Sequence, residues 1–106
     1  MTDEEFQKLA AACLTRVARW VDRTNDEALD AATTDGLVAF EFEDGAKYVL
    51  NRQGGSRQMW FAAGARAWHY DWNGMAWVDD RDGHALDARI VEVVSAKLGH
   101  PVPPID

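Results

Sequence analysis

A single cysteine, Cys13, leaves this chain without any internal disulfide and suits a reducing cytoplasm. Only three histidines are present, His69, His84 and His100, and they are scattered. No cluster of His and Cys therefore has the close spacing of a zinc site. There is no P-loop, no Gly-x-Gly-x-x-Gly, no nucleophile elbow and no His-Glu-x-x-His. No catalytic constellation is visible, and enzyme activity is not expected. No apolar run approaches the ~18 residues of a membrane helix, and no signal-peptide pattern opens the chain. Without repeat or linker, the 106 residues are read as one domain, residues 1–106.

Positive charge is also short, and its distribution is informative. Residues 1–45 carry eleven Asp/Glu against four Lys/Arg, a net of −7, while residues 46–106 are balanced. Nucleic-acid binding needs basic surface, so that class is excluded. Cations or a basic protein partner fit the acidic half.

The aromatic content is gathered in one stretch. Four of the five tryptophans fall between Tyr48 and Asp82, among short segments separated by glycine turns. Side chains alternate along a strand, so Met59 and Phe61 point one way while Gln58, Trp60 and Ala62 point the other. Trp68, Tyr70 and Trp72 likewise oppose Ala67, His69 and Asp71. One face suits a core. The other carries Trp60 among small and polar neighbours, which marks a docking surface.

Strands are predicted at Ala28–Thr34 (a weak edge strand), Leu37–Glu43, Lys47–Gln53, Gln58–Ala63, Ala67–Trp72 and Met75–Asp80. Their short connections predict one antiparallel meander. Before them, Phe6, Leu9, Cys13, Val17 and Trp20 form an apolar stripe on a helix over about Asp3–Asp22, with Cys13 a buried, inert thiol. After them, Leu86, Ile90, Val93, Val94 and Leu98 trace a second helix, ended by Gly99 and Pro101. The fold class is α+β. It is a two-layer α-β sandwich, with an antiparallel sheet of about six strands and both terminal helices on one face.

Two groups outside the core are candidate sites. Asp22, Asp26 and Asp30 lie four apart, and Glu27 adds a fourth carboxylate. They share a helix face if the helix persists, and otherwise cluster on the loop and edge strand. Carboxylates without imidazole or thiolate suit hard cations, iron included, at weak exposed sites. Such acids also serve as a solvated face. Asn51, Arg52, Gln53 and Trp60 form the second group, since tryptophan and arginine are frequent interface anchors. His69 belongs on the face of Trp60.

The order Asn51-Arg52-Gln53, Gln58-Met59-Trp60-Phe61-Ala62, His69-Tyr70-Asp71-Trp72, Trp77 and Asp82-Gly83 resembles the bacterial frataxin (CyaY) family. The opening Thr2-Asp3-Glu4-Glu5-Phe6 and the turn Phe42-Glu43-Asp44-Gly45 extend the likeness over the whole chain. The resemblance implies a frataxin-like sandwich. It also implies an iron-binding accessory protein of iron–sulfur cluster assembly that regulates a cysteine desulfurase. In that family the end of the first helix and the first strand form an acidic ridge, which binds iron weakly and meets a basic patch on the desulfurase. Those roles would fall on Asp22, Asp26, Glu27 and Asp30, although Arg16, Arg19 and Arg23 interrupt a stretch that the family keeps dense in acids. The sheet surface with Asn51, Arg52, Gln53, Trp60 and His69 would face the desulfurase and the iron–sulfur scaffold protein. The expectation is a cytoplasmic protein, mainly monomeric, with no nucleic-acid or membrane partner. Two alternatives are an iron-oxidising or iron-storing oligomer and a protein-binding module without physiological metal.

Overall fold

Thr2 opens the first helix with a reciprocal cap. Its hydroxyl accepts from the Glu5 amide at 3.1 Å, and the Glu5 carboxylate accepts from the Thr2 amide at 3.2 Å. The backbone and side-chain hydrogen bonds from Thr2 hold the Glu5 carboxyl below its ordinary range. In the computed structural model, which describes residues 1–106, this helix is α1 (Asp3–Thr24). It is followed by β1 (Leu29–Thr34), β2 (Leu37–Phe42), β3 (Lys47–Gln53), β4 (Gln58–Ala63), β5 (Arg66–Trp72), β6 (Trp77–Asp79) and α2 (Leu86–Leu98). The six strands form one antiparallel sheet in sequence order, the expected meander.

Six element ends differ from the sequence reading by one or two residues, among them the ends of β2 at Phe42 and β6 at Asp79 and the start of β5 at Arg66. The other three have a clear local reason. α1 runs on to Thr24, because Asn25 supplies the left-handed residue (φ 49°) that ends it, and its amide bonds the Asp22 carbonyl. β6 is shorter than Met75–Asp80. The Asn73 side chain accepts from the amides of Met75 and Ala76 at 2.9 and 2.8 Å, so Met75 sits in a turn, 88% exposed. β1 begins at Leu29, because the Asp26 carboxylate takes the Ala28 amide in an Asx turn.

Both helices cover the same face of the sheet. From α1 come Phe6, Ala10, Cys13, Val17 and Trp20; from α2 come Leu86, Ile90 and Val94. They meet Val38 and Phe40 of β2, Leu50 of β3, Met59 and Phe61 of β4, and Tyr70 of β5, all buried. Phe40 and Phe61 meet edge to face at 5.8 Å, and Phe6 meets Trp77 likewise at 6.1 Å. Cys13 is buried in this layer, and desolvation pushes its thiol up to about 12, so thiolate is scarce near neutral pH. The proline-rich tail lies against the helices. The Trp20 indole donates to the Pro103 carbonyl at 2.8 Å, and Arg23 pairs with Asp106.

Asp79 is the one buried acid, and Arg89 of α2 answers it at 3.5 Å while bonding Asp82 at 3.4 Å. The same guanidinium lies 4.9 Å from the Trp68 ring centre, and Arg66 lies 4.6 Å from it. This contact fastens α2 to the far end of the sheet.

Strand parity separates Trp77, in the core, from Trp60, on the open face. Trp77→Ala is expected to cost about 3–5 kcal/mol of stability, and Trp60→Ala less than about 1 kcal/mol. Urea melts of the two variants check this, and equal losses would contradict it.

Candidate functional site

The acidic group is laid out by the end of α1. Asp22 projects from the last helical turn into solvent, and Asn25 then reverses the chain. Asp26 follows in the Asx turn, mostly covered, with its second oxygen 2.8 Å from Nε2 of His100. Glu27 is exposed. Asp30 lies on β1, where its carboxylate accepts from the Ala31 amide at 2.9 Å. All four acids line one shallow hollow of about 200 Å³, floored by Val21 and Leu29. The helix therefore does not persist through Asp26 and Asp30, and the acids cluster on loop and edge strand.

Within that hollow, no three side chains of the His, Cys, Asp and Glu types converge to ligating distance. Their oxygen donors suit a hard cation in type. Their spacing suits one that keeps its own water and is held at the surface, and not one enclosed in a protein cage. His100 was not legible as a neighbour of Asp26, since the two come together only when the end of α2 packs beside the end of α1.

The second group lies on the sheet face that no helix covers. Asn51, Trp60 and His69 are directly opposite one another across β3, β4 and β5. The indole and imidazole rings stack at 4.3 Å with 18° between their planes. Nε1 of Trp60 donates to the Gln58 side-chain oxygen at 3.0 Å. The Gln58 amide in turn donates to Asp71 at 3.0 Å and to Asp80 at 3.1 Å. Asp80 also stands 4.0 Å from Nδ1 of His69. The half-buried tryptophan is thus held in one orientation before anything binds it. Beside it runs a level row, Ala32–Ala39–Val49–Ala62–Ala67, in register across five strands. Gln53 is on this face too, opposite Gln58.

Arg52 is not. It stands opposite the buried Met59, so its side chain belongs to the helix face, at the rim. Its guanidinium lies on Gly36 and pairs with Asp35 at 3.2 and 3.3 Å, and its amide bonds the Gly36 carbonyl. A Cβ at Gly36 would come within 3.0 Å of that guanidinium, and φ there is +79°. The grouping of Arg52 with Asn51, Gln53 and Trp60 is therefore corrected. Period two places it on the opposite side, where it clamps the β1–β2 turn. Gln58, Asp71 and Asp80, which pin Trp60, were missed. The parity that puts Gln58 beside Trp60 was the available signal.

This architecture has close counterparts among known proteins. Residues 1–100 match the model of the frataxin-like domain. The chain is 30% identical over 105 residues to the iron-sulfur cluster assembly protein CyaY of Variovorax paradoxus, covering 96% of each chain. It is 35% identical over 98 residues to the protein of that name from Ralstonia nicotianae, covering 90% of this chain and 87% of that one. The solved structure of frataxin from Psychromonas ingrahamii superimposes with a TM-score of 0.89 at 27% identity, over 96% of each chain. A helix–meander–helix sandwich with an acidic edge and one bare sheet face, matched over nearly its whole length, belongs to the frataxin-like family.

Proposed function

We propose that this protein is a non-enzymatic accessory factor of bacterial iron–sulfur cluster assembly, acting in the cytoplasm by docking on a cysteine desulfurase and its scaffold protein. The relatives named for cluster assembly support the pathway, and the residues of this chain support the manner of docking. The observation that carries the reading is the pinned Trp60–His69 stack on a sheet face free of helices. A rigid aromatic among small side chains loses little conformational freedom on binding, and it can fill a partner's pocket at the centre of an interface.

The acids of Asp22, Asp26, Glu27 and Asp30 supply the second component. Their field attracts a basic surface from a distance and orients it, while the Trp60 face selects it at contact. Iron is the cargo, attracted as a hydrated cation by these same carboxylates. Basic partner and cation thus compete for one patch, which gives iron a way to change docking without a buried site.

Three outcomes are expected. Trp60→Ala should weaken the desulfurase complex by about 2 kcal/mol or more, roughly thirtyfold, as measured by calorimetric titration. An unchanged affinity would remove the sheet face from the interface.

Association should slow markedly between about 50 and 500 mM salt, because the Debye length shrinks from over 10 Å to a few ångströms. Stopped-flow rates that are flat across that range would mean the acidic half does not steer docking.

Asp22 and Glu27 are exposed and make no side-chain hydrogen bond or ion pair. Replacing them together, Asp22→Asn with Glu27→Gln, should leave the melting temperature equal or higher, because like-charge repulsion at the negative end of a helix falls. Ferrous iron binding and desulfurase binding should both weaken. If ferrous iron, added anaerobically, raises the melting temperature of the double variant as much as that of the parent, the cation is held elsewhere.

A further inference from the structure

We propose that the middle of α1 carries a binding site for a small multivalent oxyanion, formed by Arg16, Arg19 and Arg23 and held in part by the chain's own Asp106. The site lies apart from the Trp60 face, takes the charge opposite to that of the acidic hollow, and needs no iron.

The cations of the acidic half are not spread evenly. Residues 1–45 hold four Lys/Arg, and three of them, Arg16, Arg19 and Arg23, fall within about two turns of one helix. Steps of three and four residues bring them to one side of α1. Burial does not require them, because Cys13, Val17, Trp20 and Val21 supply the packed side of that stretch. The three arginines line a single open hollow of about 510 Å³, together with the exposed Thr15 and two alanines of the preceding turn. Asp106 is the only acid in its lining.

What these side chains offer is donors. A guanidinium presents a planar fork that takes two oxygens of a carboxylate or phosphate at once, and it stays charged at any physiological pH. The Thr15 hydroxyl adds a further donor. Arg19 is exposed and, although Asp22 lies near it along the helix, forms no ion pair. Arg16 pairs with Asp87 of α2 at 2.5 Å, and Arg23 pairs with Asp106. The second pair stands largely in water, its side chains 49% and 82% exposed. An exposed pair contributes little, so a ligand of higher charge can take its place.

The tail shows the kind of group that fits. The Trp20 indole donates to the Pro103 carbonyl at 2.8 Å, and the Val102 amide donates to the Ser95 hydroxyl at 3.2 Å. These bonds lead the extended tail over α1 and deliver the Asp106 carboxylate into the hollow. One carboxylate thus sits among three guanidiniums, and positive charge remains in excess even when Asp87 is counted. A dianion or trianion removes that excess and reaches more than one fork. Its size is limited by the neighbourhood. Asp22, Asp26, Glu27 and Asp30 stand at the end of the same helix, and their field turns away a large acidic surface. Asp106 is then a built-in competitor, and the ligand frees the end of the tail from Arg23.

The test uses the full chain, free of metal, with two probes, pyrophosphate and propane-1,2,3-tricarboxylate, and with acetate as the monovalent control. Amide and arginine side-chain chemical shifts locate the site and give the affinity. A multivalent probe should move the resonances of Thr15, Arg16, Arg19 and Arg23, and should bind at least about tenfold more tightly than acetate. Preference for one probe identifies the ligand as a phosphate or a carboxylate, and supports the site either way. Arg19→Ala should weaken binding about tenfold and leave the melting temperature unchanged, since Arg19 has no partner to lose. Asp106→Asn should tighten binding about threefold or more, because the competitor loses its charge. Trp60→Ala should change nothing. The absence of shifts at about 10 mM probe, acetate bound as tightly as the trianion, or full affinity in Arg19→Ala would each overturn the proposal. So would unchanged or weaker binding in Asp106→Asn, since it would leave the arginines only the task of pinning the tail.

Discussion

Everything else in this molecule depends on one-sided burial. Two helices can cover only one face of a six-stranded sheet, and alternation along each strand then divides the side chains without exception. Val38, Phe40, Leu50, Met59, Phe61 and Tyr70 close with Phe6, Val17, Trp20, Leu86 and Ile90 into a single core. Their neighbours in sequence are committed to the other side. The stability of the fold and the freedom of the open face are one constraint seen from two sides. Trp60 is available because Met59 and Phe61 are not.

The acidic edge has a different origin. α1 must end where Asn25 reverses the chain, and the short path from there to β1 carries Asp26 and Glu27. Acids at a helix C-terminus oppose the dipole, so the charge placed here works against the helix that carries it. Asp26 is partly compensated by His100 and by the Ala28 amide, whereas Asp22 and Glu27 have no such partner. Asp22, Asp26, Glu27 and Asp30 thus collect beside the bare sheet edge and around the corner from the bare sheet face. An approaching partner would meet the electric field first and the shape afterwards.

Most of the fold was legible because it rests on short-range regularities. The stripe through Phe6, Cys13, Val17 and Trp20, the alternation at Val38-Phe40-Phe42, and the glycine turns each report on neighbours within a few residues. Of the open-face group, Asn51, Trp60 and His69 followed from parity alone and do share a row. Arg52 was misplaced because the composition of Asn-Arg-Gln was read as a patch while the period of two was set aside. His100 beside Asp26 and Arg89 beside Asp79 could not be read at all. Such pairs depend on how α2 lies against the rest, and no local pattern encodes that. The late start of β6 was a matter of turn chemistry, since Asn73 holds two amides that a strand would have used.

The burial of Cys13 acquires meaning in a protein proposed to work beside iron and sulfide. An exposed thiolate there would bind the metal, reduce its ferric form, or join a second chain through a disulfide as oxygen entered. Held in the α1 layer at 2% exposure, with ionisation pushed up to about 12, this sulfur is closed to all three reactions. A partner or cation would meet carboxylates, imidazoles and aromatic rings there, and no thiol. The one thiol of the chain is thereby kept out of redox chemistry, whatever passes at the surface.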